Sequence, residues 1–316
     1  MPLTRDPPPA RRTRVFIVGA PRSGTTWLQL LLDRHDEVAT GPETHLFERY
    51  LSHLDEVWRR EGSLEAERVI GLRPVLDETE FHRLCRAFAG EVLERLADPP
   101  HLPVVVEKTP GHVLSARFIH ALFPEAWFLH VVRDPRACVS SLLRAGHGWG
   151  ARWAPKGTVT GSRVWHDHVK AGLEIPSLTD RYREIRYEAL HEEGVEALDA
   201  IVRALGLRPE PGWAAAAFRA CSIDRLRKGE GGRAVSGGEP EPPGFFGPGK
   251  PEGWRDELTR SQLRAIEFVN ADLMEHLGYA RVTRSRRPPL SVRAHGILDR
   301  LSRGLDWRLR RAVAGL

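Results

Sequence analysis

The chain has 316 residues, 41% of them hydrophobic and 28% charged, which suits one large α/β domain with a substantial core. No run approaches 18 apolar residues, so no membrane span is expected, and the first residues lack the apolar segment of a secretory signal. The net charge of +5 hides an asymmetry: residues 281–316 carry ten arginines against Asp299 and Asp306, while the other 280 residues hold 37 basic and 40 acidic groups. A general polyanion binder is therefore excluded, and no nucleic-acid partner is expected. Cys85, Cys138 and Cys221 are few and widely spaced, which argues against a disulfide framework and fits a reducing, cytoplasmic setting. No Cys/His spacing suits zinc, so no metal is expected.

Residues 1–13 read as a disordered lead-in. Val15 to Val18 is then too short an apolar run for a helix and fits a buried parallel strand. Gly19-Ala-Pro-Arg-Ser-Gly24 follows as a tight loop, and Thr25-Thr26-Trp27-Leu28 opens an apolar-periodic helix. Strand, glycine-bounded loop and helix N-terminus together cradle phosphate, because loop N–H groups and the helix dipole both favour an anion there. Against the nucleotide loop G-x-x-x-x-G-K-[ST], Gly19, Gly24 and Thr26 are in register, but Thr25 replaces the lysine and Arg22 supplies a cation inside the loop.

Next comes Gly41-Pro-Glu-Thr-His45, then an amphipathic helix with Leu46, Phe47, Tyr50, Leu51, Leu54, Val57 and Trp58 at the 3.6 period. A second helical stripe runs through Phe81, Leu84, Phe88, Val92 and Leu96. Leu102–Val106 reads as a strand ending in Glu107-Lys108-Thr109-Pro110, a short helix covers 112–122, and Trp127–Val132 is a third strand ending in Arg133-Asp134-Pro135. A loop over 146–161 carries Trp149 and Trp153, which suit either stacking on a sugar or core packing. Further on are a helix around Val164–Leu173, a strand at Arg183–Tyr187, and helices at about 191–205 and 212–221. Residues 229–253 form a glycine- and proline-rich loop. Thr259-x-x-Gln262 marks a capping box for a long helix ending near Gly278. In the tail, Ile297, Leu298, Leu301, Leu305, Leu309 and Val313 share one helical face among arginines, fit for weak membrane-surface contact or for packing back on the domain.

This alternation predicts a P-loop-type three-layer α/β/α fold, with a mostly parallel central sheet flanked by helices over residues 14–280 and the basic tail at 281–316. In such sheets ligands bind at the carboxyl ends of the strands. The glycine loop, Glu-Lys-Thr-Pro and Arg-Asp-Pro each begin where a strand ends, so three charged motifs should meet on one edge.

Gly-Ala-Pro-Arg-Ser-Gly-Thr-Thr-Trp-Leu at 19–28 resembles the 5′-phosphosulfate loop of sulfotransferases that use 3′-phosphoadenosine 5′-phosphosulfate (PAPS). Val-Val-Arg-Asp-Pro-Arg-Ala-Cys-Val-Ser-Ser at 131–141 is similar to their 3′-phosphate motif, and Arg-Tyr-Glu-Ala-Leu at 186–190 to their tyrosine motif near the adenine. The resemblance covers residues 14–278, nearest the tyrosylprotein-type and bacterial branch. It implies PAPS as donor, adenosine 3′,5′-bisphosphate (PAP) as product, no metal, and an acceptor that is a small molecule, carbohydrate, lipid or peptide. It further implies that Pro21, Arg22, Ser23, Gly24, Thr25, Thr26 and Trp27 hold the 5′ end, Arg133 and Ser141 the 3′-phosphate, and Tyr187 the base. Lys108 and Arg22 would stabilise developing charge.

Glu43 and His45 both qualify as the general base: Glu43 lies just before a helix N-terminus, and imidazole suits proton transfer at neutral pH. The family's Arg-Lys-Gly clamp before Gly-x-Trp-Arg is displaced here. Gly253-Trp254-Arg255 is present, and either Arg227 and Lys228 fold back or Lys250 substitutes. Two other readings stand beside this one: a nucleotide kinase with Asp134 as a metal-binding acid, and a non-catalytic phosphonucleotide-binding protein.

Overall fold

The computed structural model describes residues 12–63, 71–96, 101–230, 241–283 and 287–295. Most of the lead-in (1–11), residues 231–240 of the loop, and 284–286 and 296–316 of the tail lie outside these, including the tail's apolar face. The chain divides into two compact units, residues 1–133 with 167–251 and residues 134–166 with 252–316.

The elements in chain order are β1 (Thr13–Gly19), α1 (Thr25–Leu32), β2 (Val38–Thr40), a wide π-type turn at Leu46–Leu51, α2 (Ser52–Ser63), α3 (Glu78–Leu96) and β3 (Val104–Lys108). Then come a 3-10 segment (Pro110–Ser115), α4 (Ala116–Leu122), β4 (Trp127–Val132), α5 (Pro135–Gly146), α6 (Thr158–Glu174) and β5 (Tyr182–Arg186). The rest is helical: α7 (Tyr187–Glu192), α8 (Gly194–Ala204), α9 (Trp213–Ala220), α10 (Ile223–Arg227), α11 (Trp254–Glu257), α12 (Arg260–Val269) and α13 (Ala271–His276).

All five strands belong to the first unit and pair in parallel in the order β2-β3-β1-β4-β5. Successive side chains of β1 point to opposite faces. Val15 and Ile17 join α1, α7, α8 and α9 in one core, whereas Phe16 and Val18 join α3, α4 and the turn at 46–51 in another. The fold is the expected three-layer sandwich. Phe16, fully buried, touches the rings of Phe47, Phe123 and Phe128 at 5.8, 6.5 and 5.9 Å. Burying such a side chain contributes about 1.5–3 kcal/mol.

The crossover from β1 to β2 moves one way along the sheet and those from β3 to β4 and β4 to β5 move the other. Right-handed crossovers in opposite directions send their helices to opposite faces. Accordingly α1 lies on one face, while α4 and the end of α6 (Ala171, with Ile175) lie on the other. The connections that leave the neighbouring strands β1 and β4 run in opposite directions, so the crevice for a ligand opens at the carboxyl ends of these two strands.

Three sequence expectations are corrected in detail. The stripe through Leu84 and Phe88 faces water, and α3 instead buries Phe81, Cys85, Ala89 and Leu93, where the small Cys85 and Ala89 admit close approach. The wide turn at Leu46–Leu51 shifts the helical register, so Leu46, Phe47, Leu51 and Trp58 are buried while Tyr50 and Leu54 are exposed. The long helix after Thr259 is two helices, α12 and α13. They part at Asn270, whose side-chain amide donates to the carbonyl of Ile266.

The second unit packs Ala137, Val139 and Leu143 of α5 against Trp254, Leu258 and Ile266. Arg136 forks onto Asp134, donates to Glu267 at 3.0 Å and lies 4.0 Å over the Trp254 ring. The capping box of Thr259 and Gln262 is formed as the sequence implies. Among the described residues no helix is long and apolar enough to cross a membrane.

Candidate active site

The glycine loop leaves β1 where that strand touches β4, with Gly19 level with Val131. A Cβ on Gly19 would stand 2.5 Å from the Val131 carbonyl oxygen, and one on Gly24 would stand 2.5 Å from the Tyr187 ring. Gly24 also has φ +105°, a left-handed conformation that side chains resist. Gly24→Ala is therefore expected to cost about 2–4 kcal/mol in urea unfolding, from backbone strain and overpacking together. A variant as stable as the native chain would refute this reading of the loop.

Among the described residues, the non-glycine positions with positive φ are Arg22 (72°) and His45 (49°). Strained backbone that persists this way collects at functional sites. Ser23 is buried, and its hydroxyl has no hydrogen-bond partner. A buried orphan hydroxyl inside a cradle of glycines and backbone N–H groups, with a cation at Arg22, is what a phosphate or sulfate group would satisfy. The residues fit the 5′ end of the expected donor.

Register carries the other motifs to the same edge. Lys108 is level with Ile17 and Thr40 with Val106, so the chain leaving β2 passes the end of β3. Gln29 of α1 fixes that passage by donating to the Gly41 carbonyl at 2.7 Å. Because strand side chains alternate, Lys108 points toward α1 and Glu107 to the opposite face. Lys108 is buried, and its ammonium donates to Thr26 Oγ1 at 3.1 Å and to Glu43 Oε1. Glu43, a third exposed, thus stands beside the phosphate loop through one shared cation.

On the other side of β3, Glu107 is buried and organises the segment that carries Glu43. Its Oε1 accepts from the Thr44 backbone N–H (3.2 Å), the Thr44 hydroxyl (2.8 Å) and the Thr109 hydroxyl (2.7 Å). Its Oε2 lies 2.8 Å from His112 Nδ1, and the Phe47 N–H donates to His112 Nε2. Burial pushes the Glu107 carboxyl up, but His112 and the Thr109 and Thr44 hydroxyls outweigh it and hold the carboxyl at about 2. Sequence reasoning singled out Lys108 and passed over Glu107, Thr44, Thr109, His112 and Gln29. The available signal was the alternation at the strand end, which gives two adjacent charges two different faces.

The remaining expected site residues are placed as follows. Arg22 lies 4.7 Å over the Phe245 ring and donates to the Phe245 carbonyl. Arg133, at the end of β4, donates to the Arg22 carbonyl at 3.3 Å and sits 4.0 Å over the Tyr187 ring. Tyr187 donates to the Gly249 carbonyl at 2.8 Å, which brings the chain before Lys250 beside the loop. Arg227 and Lys228 are exposed at the end of α10. Trp27 turns inward and is buried, donating to the Cys221 carbonyl at 2.9 Å, so its contribution is to anchor α1. Thr25 is buried and Pro21 half-buried. Ser141 lies two turns into α5, buried, in the second unit. Asp134 caps α5 by accepting from the Arg136 N–H.

The description "Sulfotransferase family" matches residues 14–211, more than half of the chain. The chain belongs to the sulfotransferase family. Human protein-tyrosine sulfotransferase 1 is 36% identical over 129 residues, which is 41% of this chain and 33% of that protein, so the chain spans about a third of the length of such curated relatives. The nodulation protein NoeE of Sinorhizobium fredii is 26% identical over 329 residues, covering 94% of this chain and 74% of that one. Among solved structures, the sulfotransferase domain of the Synechococcus PCC 7002 olefin synthase matches with a TM-score of 0.55 at 20% identity, covering 87% of this chain and 98% of that one. Mouse sulfotransferase SULT7A1, solved with PAP, matches with a TM-score of 0.55 at 16% identity, covering 84% and 86%. At these identities the structural likeness is one of fold.

Proposed function

We propose that the chain transfers a sulfuryl group from PAPS to an acceptor hydroxyl or amine, with Glu43 as general base. The observation that carries this reading is the Lys108 ammonium shared between Thr26 of the phosphate loop and Glu43. It sets a cation and a proton acceptor at one point beside the anion cradle. When bound, PAPS supplies a sulfur electrophile and a phosphate leaving group. Arg22, Ser23, Thr25, Thr26 and the loop N–H groups would hold its 5′ end, Arg133 its 3′-phosphate, and Tyr187 the adenine side, with Lys250, next to the Gly249 carbonyl that Tyr187 holds, a candidate for the clamp. Lys108 neutralises charge on the leaving oxygen, and Glu43 takes the proton from the acceptor. Protein-tyrosine sulfotransferase, by its name, uses a phenol, and a phenol is the first acceptor to try.

A nucleotide kinase is disfavoured. It needs a lysine where Thr25 stands, and the acid it would recruit, Asp134, is committed to Arg136 and to capping α5. The test is thermal stabilisation by PAP against ADP and against ATP with Mg²⁺. PAP at a hundredfold its Kd should stabilise the fold by about 2.7 kcal/mol, and ADP at the same concentration far less. Stabilisation by ATP with Mg²⁺ alone would overturn the assignment.

A further inference from the structure

His45 is held in a left-handed conformation (φ 49°, ψ 20°) by its neighbours on both sides. Its backbone N–H donates to the Thr109 hydroxyl at 3.3 Å, and Thr44 before it is pinned on Glu107. The result of this strained backbone is the position of one ring. The imidazole bridges two carboxylates, with Nε2 3.5 Å from Glu43 Oε2 and Nδ1 2.8 Å from Glu48 Oε1. Glu48 is itself pressed onto the turn after β3, where a Cβ on Gly111 would collide with its Oε2. Glu43 Oε1 is already engaged by Lys108, so the two oxygens of the base have separate partners.

We propose that His45 relays the acceptor's proton away from Glu43, accepting it at Nε2 as an imidazolium that Glu48 stabilises through Nδ1–H, and releasing the Nε2 proton to water, which restores the Nδ1–H form. The proposal rests on the sulfuryl-transfer reading with Glu43 as base. In that reaction the acceptor oxygen bonds to sulfur while the sulfur–phosphate bridge breaks, and that electron pair departs with the phosphate. The acceptor proton is left on Glu43, which must shed it before the next turnover. An ionised Glu48 accepts only, so the proton between it and His45 sits on Nδ1 and Nε2 is the atom free to receive. The carboxyl of Glu48 is held below the usual range although burial raises it, because His45 bonds to it and His112 and Arg49 stand near. The charged groups around the imidazole are Glu43, Glu48 and Arg49 along its own segment, Lys108 and Glu107 from β3, and His112 beyond it. His45 acts through Glu43 and is therefore a positioning and relay residue.

The experiment uses His45→Gly, because glycine accepts the left-handed backbone and leaves a hole the size of imidazole. Turnover is read as PAP released from PAPS with water as acceptor, or with phenol. The variant should bind PAP as the native chain does, lose about 10- to 100-fold in kcat, and recover on addition of free imidazole. Nitrogen-15 imidazole spectra of the native chain should show the Nδ1–H form of His45, altered by Glu48→Gln. Native kcat in His45→Gly, a loss that imidazole does not restore, or an Nε2–H form facing Glu43 would overturn the relay. Unimpaired turnover in Glu43→Gln would instead overturn the base assignment on which the relay rests.

Discussion

Glu43→Gln should lower kcat by about three orders of magnitude while leaving PAP binding within a factor of two, the range expected for losing a positioned general base. Glutamine keeps an oxygen for the Lys108 ammonium and so keeps the link to Thr26 that aligns the phosphate loop with β3. What it removes is the ability to hold a proton. The lysine is nearly fully buried, and its other partner is the Thr26 hydroxyl, so a variant without an acceptor at position 43 would leave a desolvated charge poorly met. Comparing Glu43→Gln with Glu43→Ala separates the two roles: the alanine variant should lose stability as well as turnover, the glutamine variant turnover alone. Turnover of Glu43→Gln at the native rate would show that another group takes the proton.

The parts of the site that sequence reveals are those set by chain direction. A short apolar strand followed by Gly-x-x-x-x-Gly and a helix has one geometry, and parallel strands deliver whatever follows them to one edge, so Arg22, Thr26, Lys108 and Arg133 were legible from order alone. Side-chain orientation at that edge was not. Trp27 reads as part of the phosphate motif, yet its place in α1 turns the indole into the core against Cys221. Glu107 and Lys108 stand side by side in one charged motif; strand alternation puts them on opposite faces, and pairing with β1 and β2 shows where each face lies. The exposed Leu84 and Phe88 show the same limit on a helix. Bulk marks an apolar stripe in sequence, but close approach to β-sheet and helix is decided by small residues such as Cys85 and Ala89.

The division of labour across β3 makes a second large effect predictable, this time on folding. Glu107 is a buried carboxylate met by two hydroxyls, one backbone N–H and an imidazole nitrogen, and its carboxyl lies at about 2 against an ordinary 4.5. A depressed folded-state value means that the unfolded chain binds the proton more readily. The stabilisation is therefore complete above about pH 4.5 and is lost as the pH falls toward 2, and it amounts to about 3 kcal/mol. Glu107→Gln should cost about that much near neutrality, with an added penalty where its amide meets the His112 nitrogen, and Glu107→Ala should cost about 3–5 kcal/mol by stranding its donors. Urea unfolding of the native chain and Glu107→Gln at pH 7, 5 and 3.5 checks the sign, because the gap between the two curves must narrow as the pH drops. A gap as wide at pH 3.5 as at pH 7 would mean that Glu107 is held by shape and not by charge. Narrowing would tie the strained backbone of His45, and with it the aim of Glu43, to one ionised group on the far side of the strand.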